Sequence, residues 1–127
     1  MRSTPEGTVI SLTDHASFSM FALGSALPQP KVVRLLAEIG RLLKTRPGKI
    51  TVRGHTDAAP YKSREYDNWR LSSARAQMSY YMLIRGGLPE DRVERIEGHA
   101  DRLLKAPLAP FAAENRRIEI LLRGDGL

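Results

Sequence analysis

The chain has 127 residues, 42% hydrophobic and 27% charged, the balance of one globular domain with a single core. It lacks cysteine, which excludes disulfides and thiolate metal sites, and no apolar run approaches the ~20 residues that cross a bilayer. The formal charge of +6 is spread along the chain, so it favours anionic partners in general and selects none of them.

Residues 1 to 7 read as a mobile terminus, with Pro5 and Gly7 as breakers, and Met1 to Pro5 is no signal peptide. If the protein is exported or tethered, the segment responsible lies upstream. Thr8 to Thr13 is short and β-branched, a first strand with Ile10 and Leu12 turned inward. Asp14 and His15 mark a turn, and an apolar patch from Phe18 to Phe21 leads to Pro28 and Pro30.

Lys31 to Arg46 is a helix, because Val32, Leu35, Leu36, Ile39, Leu42 and Leu43 recur at helical spacing. Gly40 inside it costs about 1 kcal/mol relative to alanine, so it marks close packing. Pro47-Gly48 ends the helix. From Lys49 the pattern alternates, with Ile50 and Val52 facing one way and Thr51 and Arg53 the other. A polar loop with Pro60, Tyr61 and Tyr66 follows. Asp67 or Asn68 then caps a second helix that runs to about Arg85 and stops at Gly86-Gly87. Arg92 to Gly98 and Arg117 to Arg123 are strands, the latter burying Ile118, Ile120 and Leu122. The order β, α, β, α, β, β predicts an α+β domain over residues 8–123, two helices packed on one face of a mixed four-stranded sheet, with 124–127 a tail.

Three constellations carry chemistry. Asp57 ends the second strand, and Arg75 sits in the second turn of the second helix, roughly 40° from Leu71 at ~100° per residue. A long cation there either snorkels outward or is held beside the sheet with its planar fork aimed at a carboxylate. In the second case Asp57 supplies the opposite charge, and the two bind a zwitterion.

The second constellation is a pair of H-x-D units, Gly54-His55-Thr56-Asp57 and Gly98-His99-Ala100-Asp101. Together they are either a metal site for a hydrolase or structural histidines at turns. The third, Tyr61, Tyr66, Trp69, Tyr80 and Tyr81 with nearby arginines, forms no ladder along one strand and so gives no nucleic-acid platform. No Gly-x-Ser-x-Gly elbow or Gly-rich phosphate loop occurs, and no catalytic set emerges.

Gly24-Ser25-Ala26, Gly54-His55-Thr56-Asp57, Pro60-Tyr61, Asn68-Trp69-x-Leu71-Ser72-x-x-Arg75-Ala76 and Asn115-Arg116-Arg117-Ile118 together resemble the OmpA-like peptidoglycan-binding domain, in particular the periplasmic domain of MotB-type flagellar stators. The resemblance implies a βαβαββ sandwich and a non-catalytic, cofactor-free module that grips the diaminopimelate of the cell-wall stem peptide. It places Thr56, Asp57, Asn68, Leu71, Arg75, Arg116 and Arg117 at the site, with no metal ligand among them. It implies a periplasmic location, a homodimer, and a MotA-type stator partner reached through an upstream inner-membrane segment. A Pal- or OmpA-type envelope tether is the alternative within the fold. His99 and the loop from Arg102 to Glu114 depart from the pattern.

Overall fold

The computed structural model describes residues 1–15, 17–59 and 67–123. The expectations placed on Pro60, Tyr61, Tyr66 and the tail 124–127 lie outside them. In chain order the elements are β1 (Arg2–Thr4), β2 (Gly7–Thr13), α1 (Pro30–Lys44), β3 (Lys49–His55), α2 (Asn68–Arg85), β4 (Val93–Gly98) and β5 (Arg117–Arg123). Single 3-10 turns, Glu90–Arg92 and Ala113–Asn115, lead into β4 and β5.

The sheet has five strands in the order β1-β2-β5-β3-β4, with β3 and β4 parallel and the other pairs antiparallel. The expected four strands are corrected to five. The additional strand is β1, inside the stretch assigned to the terminus, where Arg2↔Val9 to Thr4↔Gly7 close a hairpin. Three residues are too few to show an alternating pattern, so pairing with β2 defines this strand and local sequence does not.

Ile50, Val52, Ile118, Ile120 and Leu122 form one side of the core, against Val32, Leu36 and Leu43 of α1 and Ala76, Met82 and Leu83 of α2. Ile10 and Leu12 of β2 pack against its edge. The helices meet where Gly40 of α1 lies on the main chain of Leu83, and a Cβ at Gly40 would collide with the Leu83 carbonyl. The helix-propensity cost of Gly40 thus allows close helix contact.

Two features place the site. Gly54, near the end of β3, lies against the Ser72 carbonyl, which presses the second turn of α2 onto the end of β3. Ser72 Oγ then accepts the Ala100 N–H at 3.0 Å, and Thr56 N–H donates to Ala100 O at 2.8 Å. The C-terminal ends of β3 and β4 and the start of α2 are thereby laced into one edge. Asp67 is the residue that caps α2, its carboxylate accepting the Arg70 N–H at 2.8 Å.

Candidate functional site

At that edge opens a cleft of about 230 Å³ lined by Thr56, Asp57, Asn68, Leu71, Arg75 and Arg116, with Asp14, Phe21 and Gly24 among the residues facing them. Six of the seven residues singled out from sequence therefore share one depression. Leu71 is buried as part of its lining, and Asn68 Nδ2 donates to Ala59 O at 3.1 Å.

Asp57 is nearly buried, and both its oxygens are engaged. Oδ1 accepts the Ala59 N–H at 3.0 Å, and Oδ2 accepts from Arg116 Nη1 at 2.5 Å. Arg116 also donates from Nε to Asp14 Oδ2 at 2.9 Å, while Asp14 Oδ1 takes the Met20 N–H at 2.8 Å. One guanidinium thus bridges two carboxylates. Partial burial works against the Arg116 charge, but the hydrogen bonds to Asp14 and Asp57 outweigh it and raise its pKa above the ordinary value.

Arg75 takes neither of the two courses open from sequence in its simple form. It is 8% exposed, and its Nε donates to Ser25 O at 2.8 Å and Nη2 to Ala22 O at 3.4 Å. The guanidinium lies 5.2 Å from the Phe21 ring centre. The guanidinium is held at the cleft by carbonyls of the loop between β2 and α1, which fix its position. The contact of Asp57 with a cation comes from Arg116. Among the described residues, two acids, Asp14 and Asp57, and two arginines, Arg75 and Arg116, line the cleft, so both signs of charge face it.

Arg117 is not part of it. The side chain lies on the other face of β5, where Nε donates to Glu119 Oε2 at 3.0 Å and Nη2 to Leu103 O at 2.8 Å. Placing it beside Arg116 at the site is corrected by strand alternation. Ile118, Ile120 and Leu122 face the helices, so Arg117 and Glu119 must face away.

Comparison with known proteins places the chain. The OmpA family matches residues 20–117. The chain belongs to the OmpA family. It is 39% identical over 119 residues to Motility protein B of Escherichia coli K12, covering 92% of this chain and 39% of that protein. It is 38% identical over 122 residues to the putative truncated flagellar export/assembly protein LafU of the same strain, covering 96% of this chain and 58% of LafU. It therefore spans less than two thirds of the length of either relative.

Among solved structures, the periplasmic domain of Helicobacter pylori MotB superposes with a TM-score of 0.82 at 22% identity, over 98% of this chain and 87% of that one, a likeness of fold. The cell wall anchor of the type VI secretion system of Pseudomonas aeruginosa gives 0.70 at 30% identity, over 91% and 80%. The OmpA-like α+β fold expected from the motifs is the fold found.

Among the lining residues of this OmpA-family cleft that escaped the sequence reading, Asp14 and Phe21 touch its arginines. Asp14 read as a turn residue, since its partner Arg116 is 102 positions away. Phe21 read as an apolar patch, although Gly24-Ser25-Ala26 had marked its loop. The H-x-D units do come together, with the His55 and His99 rings stacked at 4.9 Å and 9°. Their partners, however, are not the aspartates. His55 Nε2 meets Glu119 at 3.2 Å and His99 Nε2 meets Glu97 at 2.8 Å. Among the described residues no group of three or more His, Cys, Asp or Glu is placed to hold a metal.

Burial lowers the pKa of His55 and keeps it neutral at pH 7, and its Nδ1 is buried with no partner among the described residues. That fits the tautomer with the proton on Nε2, given to Glu119. This hydrogen bond, against the cost of burial and helped by Arg117, holds Glu119 down at about 2.

Proposed function

We propose that this domain binds cell-wall peptidoglycan without cleaving it, and that the cleft takes the diaminopimelate of the stem peptide. The observation that carries the reading is the juxtaposition of Asp57 and Arg75 in one small depression at the sheet's edge. The free end of diaminopimelate presents an ammonium and a carboxylate on one carbon. An acid and an arginine across a narrow cleft accept both in a single orientation, which neither charge does alone. Arg116 then acts on the acid side, sharing Asp57 with the ligand ammonium while Asp14 keeps its own hold. Family membership and the kinship with Motility protein B support the same reading.

In this reading the domain lies in the periplasm and fixes a MotB-like stator, dimeric and paired with a MotA-type protein through an inner-membrane segment, against rotor torque. The similarity to a secretion-system cell wall anchor favours a second parent assembly, a non-flagellar tether using the same cleft.

Co-sedimentation with purified sacculi tests the binding. The domain pellets with diaminopimelate-type sacculi, releases no soluble fragments, and binds weakly where lysine replaces diaminopimelate and the side-chain carboxylate is missing. Equal binding to both wall types, or binding unchanged in a folded Asp57→Ala variant, overturns the assigned cleft.

A further inference from the structure

β3 and β4 begin, and α1 and α2 end, at the pole opposite the cleft, roughly 20 Å away along seven strand residues at ~3.3 Å each. That pole is basic. Lys44, Arg46, Lys49, Arg92 and Arg123 line one open depression of about 660 Å³.

Two of these cations are committed elsewhere. Arg123 is paired with Glu94, its Nη2 at 2.5 Å from a carboxylate oxygen, and Arg92 donates to Gly48 O and Leu43 O at 2.6 and 3.2 Å. The remaining Arg92 Nη2 is buried with no partner among the described residues. Among the described residues Lys49 donates to a main-chain carbonyl, Asp91 O at 3.1 Å, and forms no ion pair. Lys44 and Arg46 are exposed and form no ion pair among the described residues. The nearby acids Glu90 and Asp91, in the turn before β4, do not line the depression.

Basic residues near the end of α1 complement the negative end of its dipole, and that alone explains Lys44. It does not explain what adjoins them. Sharing Arg46 and Pro47 with the basic depression is a second cleft of about 330 Å³ floored by Ile10, Leu43 and Leu122. Leu42 stands 48% exposed on its wall, and Arg2 is on its rim. Ile10 of β2, at the edge of the core, is only partly buried here. A soluble polyanion has no use for an apolar cleft among the cations. A bilayer of anionic lipid does, because phosphates pair with the cations while the apolar side chains enter the acyl boundary.

We propose that this pole docks on an anionic lipid surface, independently of what the cleft at the other end binds. The test is flotation of the domain with phosphatidylglycerol-containing vesicles and with pure phosphatidylcholine vesicles, in about 0.1 M salt. The parent chain floats with the anionic vesicles only. Lys44→Glu, Arg46→Glu and Lys49→Glu combined lower partition roughly a hundredfold. Lys31→Glu, Arg34→Glu and Lys105→Glu, the same change in net charge placed elsewhere, lower it less than about tenfold. Leu42→Ser weakens the parent's binding several-fold.

No flotation by the parent overturns the proposal, and so does equal loss in both triple variants, which reduces the effect to net charge. If the first triple variant melts lower but floats like the parent, the cations serve the helix ends and the proposal fails. Inorganic polyphosphate retained equally by the parent and by Leu42→Ser, with vesicle binding unaffected by that change, identifies a soluble polyanion instead. Asp57→Ala keeps vesicle binding, so failure here and failure of the wall-binding reading are separately visible.

Discussion

Arg116 and Arg117 are neighbours in sequence and serve two different ionic clusters. Arg116 lies on the cleft side and is shared between Asp14 and Asp57. Arg117 lies on the outer face and closes a set with Glu119 and His55. The chemistry of the two clusters is alike, an arginine among carboxylates, but their surroundings differ. The outer set is buried, with Glu119 only 6% exposed. The inner set borders an open depression, and Arg116 is exposed enough for a ligand to reach it. The same pairing therefore contributes rigidity on one face and remains available for exchange on the other.

The sharpest test of that contrast is removal of an inner acid. Asp57→Ala takes the partner from a ligand ammonium and leaves that charge desolvated, so sacculus binding falls by about 2–5 kcal/mol while circular dichroism stays native. Arg75→Ala loses as much binding. It also lowers the melting temperature, because the loop carbonyls of Ser25 and Ala22 lose their donor.

Arg117→Ala makes the opposite statement. It leaves Glu119 buried with one partner fewer and destabilises the fold by about 3 kcal/mol, yet sacculus binding of the folded fraction is unchanged. Loss of binding without loss of stability in Arg117→Ala would merge the two clusters and end the distinction.

A smaller effect separates them by pH. The folded pKa of His55 is depressed, so on acidification from neutrality the unfolded chain takes a proton near 6.5 while the folded chain resists it. Stability falls from that point downward. The Glu119 contribution is fully present above its unfolded value of 4.5 and is lost as pH falls toward about 2. The melting temperature should therefore drop between pH 7 and pH 5, and His55→Gln should flatten that part of the curve; an unchanged slope in the variant places the proton uptake elsewhere.

Least is expected from Asp14→Asn. It keeps a hydrogen-bond acceptor for the Met20 N–H but gives up the charge that holds Arg116, at a cost of about 1 kcal/mol of stability. Sacculus binding should fall a few-fold as Arg116 turns wholly to Asp57; unchanged binding would show that Asp14 has no part in presenting it.

Helical spacing, strand alternation and Pro-Gly stops were local signals, and they located α1, β3, α2 and β5 within a residue or two from sequence alone, because each reports which face of one element is apolar. The Asn68 to Ala76 run carried the family resemblance rather than a local signal, and its Asn68, Leu71 and Arg75 line the cleft. Even the division between Arg116 and Arg117 was latent in the alternation through Ile118, although it carried meaning only once the helix-bearing face of β5 was known. What tertiary structure alone decided is every relation between distant positions: the hairpin of β1 on β2, Asp14 meeting Arg116 across 102 residues, the loop carbonyls that hold Arg75, and the stacking of His55 on His99. The physical reason is that burial pattern is a property of one segment, whereas the partner of a charge is set by sheet order and register.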